Sequence, residues 1–177
     1  MRHAFVLVLI LSAGSYVAFG QSPTAPDPGS ATATCDLTDQ QQLAVQYQEL
    51  TLGKKDKDNF LGHQVPYGKI WEPGKQPLKL FTNAPLSIAG TELPVGAYTM
   101  YLIPNRKEWT LVVSKNTDPS AAYDQAMDIV RAPMQVGILT SPELKFNVSF
   151  EHSGPKECSL RVDIADVGAW VPFQQKQ

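Results

Sequence analysis

Apolar and polar side chains alternate at every second position along much of this chain, which is the period of a β-strand with one buried face. The pattern is clearest from Leu144 to Phe150, where four apolar residues alternate with polar ones. It recurs from Cys158 to Ile164 and, earlier in the chain, from Leu43 to Tyr47. Each of these segments predicts a half-buried strand.

Further strands are predicted at short intervals, separated by the Gly and Pro residues that are common between the strands of sandwiches and barrels. They are Leu78 to Thr82, Leu86 to Ile88, Ala97 to Ile103 and Trp109 to Ser114. A final aromatic stretch, Ala169 to Phe173, is expected to close the domain. The charged run Lys54 to Asn59 has no apolar period and predicts a solvated loop.

One helix is predicted, near residues 119–127. Asp118 is a favourable N-cap residue, and Pro119 is tolerated at the first helical position. Pro133 limits any continuation, so we expect Ile129 to Leu139 to be extended, with the proline at an edge or a bulge. The predicted fold class is therefore mainly β: a single antiparallel β-sandwich-like domain with one short helix.

The first residues predict an export signal. Arg2 precedes an apolar run from Ala4 to Leu11, and Ala18-Phe19-Gly20 has the small-x-small spacing of a cleavage site. A membrane anchor is the alternative, but it needs about 20 apolar residues. We expect residues 1–20 to be a cleaved signal, 21–34 a flexible Pro/Ser/Thr-rich linker, 35–173 the domain and 174–177 a polar tail. The mature protein would then be periplasmic or extracellular, with no stable membrane span.

Charge and cysteine content refine this prediction. Loss of Arg2 with the signal leaves 14 basic and 17 acidic side chains, a formal net charge of −3. That balance argues against nucleic-acid binding, which usually shows as a clustered basic surface. Cys35 and Cys158 are an even number of cysteines in an exported chain, which favours a disulfide. We predict that they pair, and two separate buried cysteines are the alternative.

Several motifs follow one another in a characteristic order: Val65 to Trp71, Leu93 to Thr99, Ile103-Pro104, Glu108 to Leu111 and Arg131 to Val136. In this order they resemble the secreted bacterial family called domain of unknown function 2911, over most of the mature chain. The resemblance implies an exported β-rich domain and assigns no activity or catalytic residue. Glu72 to Pro77 departs from the polar stretch usual in that family, so a shared site there would be altered.

Tyr67, Lys69 and Trp71 form the most suggestive local pattern. Alternate residues of a strand share one face, so two aromatic rings would flank an ammonium group. Such a platform would bind a sugar or a peptide, with help from cation–π attraction. The alternative is that these side chains cover the edge of the core. His63, in the preceding loop, is included in this candidate ligand-binding site.

No motif predicts catalysis, a cofactor or a metal. His63 and His152 are isolated, without the close spacing of metal ligands. A metal site assembled from distant strands remains an alternative. The chain has no G-x-S-x-G nucleophile motif and no phosphate-binding glycine loop.

The leading functional hypothesis is an exported β-rich domain that binds a small molecule, a glycan or an envelope protein without catalysis. One alternative is a hydrolase-like enzyme in which His63 or His152 lies beside a carboxylate. Another is a purely structural envelope protein. Buried Tyr67 and Trp71 side chains would argue against the platform.

Overall fold

A computed structural model of the protein describes residues 29–118 and 120–176. The predicted signal, most of the predicted linker and Pro119 lie outside the described residues. Nine strands follow one another along the described chain: β1 (Ser30–Asp36), β2 (Gln42–Gln48), β3 (Leu78–Thr82), β4 (Leu86–Ile88), β5 (Thr91–Leu93), β6 (Gly96–Ile103), β7 (Trp109–Ser114), β8 (Asp128–Gly154) and β9 (Glu157–Gln175).

All nine strands belong to one antiparallel sheet with the order β1-β2-β3-β6-β7-β8-β9-β4-β5. The mainly β fold class is therefore confirmed. β8 and β9 are much longer than the other strands, and both change partners along their length. The first part of β8 pairs with β7, and from Gln135 onward it pairs with β9. β9 in turn pairs with β4 at its last residues.

The sheet folds back so that its first strands meet β8 and β9. Beyond the end of β2, the Leu52 amide donates a hydrogen bond to the Leu144 carbonyl at 2.7 Å. The Phe146 amide donates to the Leu50 carbonyl at 2.8 Å, and Thr51 and Lys145 form an antiparallel bridge. We call this contact between residues 50–52 and 144–146 the seam. It joins two parts of the chain that are far apart in sequence.

The inward faces of the strands form one apolar core. Its largest fully buried side chains include Trp109, Met100 and Phe173, which come from β7, β6 and β9. The turn before β6 is closed by Tyr98, whose hydroxyl donates a hydrogen bond to the Pro94 carbonyl at 2.8 Å. Buried tyrosine hydroxyls usually find such a hydrogen-bond partner.

Both predicted ends of the domain require correction. Residues 30–34 belong to β1 and are not part of a flexible linker, because every residue of β1 pairs with β2. The linker prediction depended on three prolines, and all of them precede Gly29. At the other end, Gln174 and Gln175 belong to β9 and not to a tail. The Gln175 side chain accepts hydrogen bonds from the Thr38 amide at 3.1 Å and from its hydroxyl at 2.7 Å.

The predicted helix near 119–127 is wrong. The described residues of this crossover form turns and a single 3-10 turn, Gln125–Met127. The Asp118 carboxylate accepts hydrogen bonds from the amide and hydroxyl of Ser120 at 2.9 and 2.7 Å, but no helix begins there. The 3-10 turn is capped instead by Asp124, whose carboxylate accepts a hydrogen bond from the Ala126 amide at 2.9 Å. A longer helix does not form because side chains fix the segment to the sheet, as described below.

Three other 3-10 turns are present in the described chain, at Thr38–Gln40, Lys57–Asn59 and Pro73–Lys75. None of the helical turns within the described residues has the length and apolar character that crossing a membrane requires.

Candidate functional site

The predicted disulfide is present. Cys35 of β1 and Cys158 of β9 are bonded, with their Cα atoms 6.4 Å apart. Both side chains are buried, with 3% and 0% of their surface exposed. Cys158 shares the inward face with Leu160 and Val162, as the alternation in β9 predicted. The bond therefore links the first strand of the sheet to the last along the chain.

The structure does not bring Tyr67, Lys69 and Trp71 to a common face. Tyr67 and Lys69 lie in a turn and a bend, and Gly68 between them has a positive φ of 72° that breaks the expected alternation. Trp71 forms an isolated antiparallel bridge with Leu102 of β6. Tyr67 is half-buried beneath the guanidinium of Arg106, which lies 5.3 Å from the ring centroid. Lys69 and His63 are exposed.

Trp71 belongs to the core. Only 9% of its surface is exposed, and its ring makes edge-to-face contacts with Phe60, Trp109 and Phe146 at centroid distances of 5.7, 6.0 and 5.5 Å. The geometry that the platform hypothesis required is therefore absent. A role for Tyr67, Lys69 or His63 in ligand binding remains a prediction.

An open cleft of 440 Å³ lies at the seam. Its walls come from the end of β2 and the middle of β8, which the seam hydrogen bonds hold together. It is lined by Tyr47, Glu49, Leu50, Glu143, Lys145, Phe146 and Asn147.

The cleft combines one accessible aromatic ring with a polar rim. Tyr47 is half-buried and packs edge to face on the buried Phe146, with their ring centroids 5.7 Å apart. Glu49, Lys145 and Asn147 are exposed around this pair. Thr51 and Lys145 pair in antiparallel orientation. Glu49 and Asn147, each two residues from this pair, therefore lie on opposite sides of the seam.

Sequence reasoning missed this cleft, although it predicted part of its geometry. The alternation in β8 correctly placed Phe146 inward and Lys145 and Asn147 outward. What the pattern could not show is that the chain after β2 pairs with β8, because about 90 residues separate the two segments and no local motif marks the contact. The sequence therefore could not show that Glu49 lies near Lys145 and Asn147 in one cleft.

A second polar cluster lies on the outer face, where the crossover before β8 packs on the sheet. The Tyr123 hydroxyl donates to Asp128 Oδ2 at 2.7 Å, and Arg131 Nη1 lies 2.6 Å from the same oxygen. Arg131 also donates to the Tyr123 hydroxyl at 2.9 Å. The Tyr123 ring contacts Tyr101 edge to face at 5.0 Å. The Asp128 side chain is 7% exposed, and its Oδ1 has no hydrogen-bond partner among the described residues.

Burial and hydrogen bonding together shift the pKa values of Tyr123 and Arg131. Burial raises the pKa of the Tyr123 hydroxyl, and the hydrogen bond to Asp128 raises it further. Burial opposes the charge of Arg131, but its hydrogen bonds to Asp128 and Tyr123 outweigh that penalty and raise its pKa. The cluster is therefore a neutral phenol and an ion pair at ordinary pH, an arrangement suited to holding the crossover in place.

The long β8–β9 pair carries a third cluster. Arg161 Nε donates to both carboxylate oxygens of Asp163 at 3.0 Å, and these hydrogen bonds raise the pKa of Arg161. Its guanidinium lies 5.9 Å from the ring centroid of Trp170. These contacts brace the region where the register of the two strands shifts.

Taken together, the fold and its surface define a class: an antiparallel β-sheet domain, cross-linked from first strand to last strand, with an open aromatic and polar cleft. The chain belongs to the family described as protein of unknown function (DUF2911), whose sequence profile matches residues 29–173. No curated protein and no solved structure shows significant similarity to it.

Proposed function

We propose that this protein is an exported, non-catalytic binding domain whose seam cleft binds a short saccharide. The observation that carries the proposal is the cleft itself. Its volume of 440 Å³ falls within the range of about 300 to 1,000 Å³ that is usual for small-molecule sites. By contrast, the depression between Ser30 and Lys79 measures 10 Å³, room for about one water molecule.

The side chains around the cleft match a polyhydroxylated ligand. Sugar hydroxyls both donate and accept hydrogen bonds, and the rim offers acceptors on Glu49 and Glu143 and donors on Lys145 and Asn147. The half-buried Tyr47 ring, backed by the buried Phe146, supplies the apolar surface on which the C–H face of a sugar ring would pack. One ammonium opposite two carboxylates does not favour a phosphate or another anion.

Other depressions are a poorer match to this chemistry. One of 390 Å³ surrounds the tip of the β6–β7 hairpin and is lined mainly by charged and polar side chains without an aromatic ring. One of 310 Å³ lies on the turn between β8 and β9, also without an aromatic side chain. One of 340 Å³ contains Phe81 but has no charged group on its rim. The seam cleft alone among these four combines rings with charged hydrogen-bonding groups.

The positions of the histidines favour binding over hydrolysis. The hydrolase alternative requires His63 or His152 in a deep pocket beside a carboxylate. Both imidazoles are exposed, and the contact that His152 makes is with the sulfur of Cys35. A binding role therefore has better support than acid–base catalysis by either residue.

Export is supported by the disulfide together with the predicted signal, because structural disulfides persist mainly in oxidising compartments. When the full chain is expressed in a Gram-negative bacterium, we expect the protein in the periplasmic or extracellular fraction. Its intact mass should correspond to a chain that begins at Gln21. Recovery of the full-length chain from the cytoplasm would contradict export.

The binding proposal is tested by titration calorimetry of the purified protein with chito-, cello- and malto-oligosaccharides and with soluble muropeptides. At least one of these classes should bind with a dissociation constant of about 1 mM or tighter. Lys145→Met and Asn147→Ala should each weaken binding about tenfold, because each removes hydrogen-bond donors from the rim.

Lys107→Met is the matched control. Lys107 is also an exposed lysine, but it lines the separate depression at the β6–β7 hairpin. Its replacement should leave the dissociation constant unchanged. The proposal is wrong if no member of the panel binds, or if the Lys107 and Lys145 variants lose affinity equally.

A further inference from the structure

His152 lies directly beside the disulfide. In the β8–β9 ladder it is the cross-strand partner of Cys158, so the two side chains share a face of the hairpin. Its Nε2 is 3.4 Å from the sulfur of Cys35, and its Nδ1 is 3.9 Å from the same atom. One ligand atom from each of the three residues lies within 4.8 Å of the other two.

Two cysteine sulfurs and one imidazole are a known ligand set for Zn²⁺, with a water molecule in the fourth position. Bonds of about 2.3 Å to sulfur and 2.0 to 2.1 Å to nitrogen, at tetrahedral angles, place sulfur and nitrogen roughly 3.5 Å apart. The distance from His152 Nε2 to Cys35 Sγ, 3.4 Å, is close to this value. The same sulfur is 3.9 Å from Nδ1, so the exposed imidazole must also rotate to direct its Nε2 lone pair at the ion. The two sulfurs would have to separate to about 3.8 Å, which requires cleavage of the bond between them.

We propose that reduction of the Cys35–Cys158 disulfide converts this corner into a Zn²⁺ site formed by Cys35, His152 and Cys158. A dithiol reductant supplies two electrons and two protons, gives the two protein thiols and becomes a disulfide itself. Zn²⁺ then binds the two sulfurs as thiolates and releases those two protons, while neutral His152 donates its Nε2 lone pair. The oxidised protein has no thiolate and does not form the site.

Strand pairing positions the three ligands in addition to the disulfide. Cys35 is held in β1 by its pairing with Leu43 of β2, and the other two are held by the β8–β9 hairpin. The Asp36 carbonyl oxygen lies 3.9 Å from the Cys35 sulfur and 4.0 Å from the Cys158 sulfur. The sulfurs are buried while His152 is exposed, so a cation reaches the site from the side of the imidazole.

The test uses the purified protein with its disulfide reduced by a phosphine, which takes up the oxygen of one water molecule as the two thiols form. After removal of the phosphine without oxygen, Zn²⁺ affinity is measured by competition with a chromophoric chelator. Co²⁺ serves as a second probe, because thiolate ligation gives a sulfur-to-metal charge-transfer absorption. We expect one Zn²⁺ per reduced chain and none in the oxidised chain.

Two histidine variants distinguish Zn²⁺ binding by all three residues from binding by the two cysteine thiolates alone. His152→Ala should weaken Zn²⁺ binding by at least about tenfold, by loss of one direct ligand. His63→Ala removes the other exposed histidine of the described chain and should have no effect. Equal affinities for the His152 variant and the parent protein would overturn the proposal, as would binding to the oxidised chain or its absence from the reduced chain.

Unfolding of the reduced chain is followed by circular dichroism in the same samples. If the reduced parent protein loses β-structure, Zn²⁺ should restore it, and it should not do so in His152→Ala. Failure of Zn²⁺ to raise the thermal unfolding midpoint of the reduced parent protein, folded or not, would also contradict the site.

Discussion

At the scale of single residues, Trp71 shows why a local pattern can suggest the wrong role. The spacing of Tyr67, Lys69 and Trp71 is that of a strand face, but Gly68 has a positive φ and only Trp71 pairs with another strand, in an isolated bridge. The alternation rule does not apply outside a strand. Trp71 is consequently directed into the core, where its ring contacts three other aromatic rings.

Trp71→Ala should destabilise the protein by about 3 to 5 kcal/mol, since it removes a buried aromatic side chain and leaves a cavity. Tyr67→Ala, at the half-buried neighbour, should cost clearly less, about 1 kcal/mol. Urea unfolding monitored by circular dichroism gives both values. Similar small losses in the two variants would show that Trp71 is not a core residue.

Three tyrosines predict the response to alkaline pH. Burial raises the pKa of Tyr98, Tyr101 and Tyr123 above 10.0, the ordinary value. The folded protein therefore keeps phenol protons that the unfolded chain releases. Their contribution to stability is fully present below pH 10 and is lost as the pH rises through the folded-state pKa values.

We expect the free energy of unfolding to decrease between about pH 10 and pH 11, and to decrease less steeply in Tyr101→Phe, which cannot ionise at that position. Lysines also titrate in this range, so the difference between the two proteins is the informative quantity. Urea unfolding at a series of pH values measures it. Identical slopes would contradict the assignment of a raised pKa to Tyr101.

At the scale of elements, short regular strands were predictable and irregular ones were not. Leu78–Thr82 and Trp109–Ser114 match their predictions because each strand is bounded by clear turn residues. β8 was predicted as separate pieces, since its register shifts after Ile138 and again after Glu143 interrupt the alternation. β8 continues through these register shifts because it pairs with β9 on both sides of them. This pairing involves a distant segment, so the local sequence of β8 does not reveal it.

The crossover between β7 and β8 failed as a helix for a related reason. Asp118 accepts hydrogen bonds from Ser120, but no helix follows it, because Tyr123 packs on Tyr101 and donates a hydrogen bond to Asp128. Contacts with the sheet thus outweigh helix propensity, which is only a weak preference over so short a segment.

Arg131→Met tests whether the outer-face cluster holds this crossover. The Asp128 carboxylate would stay buried without its cation, so the free energy of unfolding should fall by about 1 to 3 kcal/mol. Lys115→Met, an exposed charge in the same crossover, should change it by less than about 0.5 kcal/mol.

The double variant Asp128→Leu/Arg131→Met should be less destabilised than Arg131→Met alone, because it removes the buried charge together with its partner. Chemical unfolding measures all three variants. A cost for Arg131→Met no larger than for Lys115→Met would contradict an anchoring role for the cluster.

At the scale of the whole molecule, the sequence could predict the class of fold and the disulfide, but not the sheet order. β9 lies between β8 and β4, and the chain after β2 pairs with β8. Both contacts join distant segments, and their partners are chosen by burial of the complete core. The seam cleft depends on the contact between the chain after β2 and β8. The sequence therefore predicted only the outward polar side chains of β8, and not the cleft that they border.

Saccharide binding in the seam cleft can be located by a nuclear magnetic resonance titration of the ¹⁵N-labelled protein with the same panel of oligosaccharides and muropeptides. We expect a binding saccharide to shift amide signals mainly in residues 47–50 and 143–147. Absence of shifts with every member of the panel, or shifts centred on residues 103–110 or 153–157, would contradict saccharide binding in this cleft.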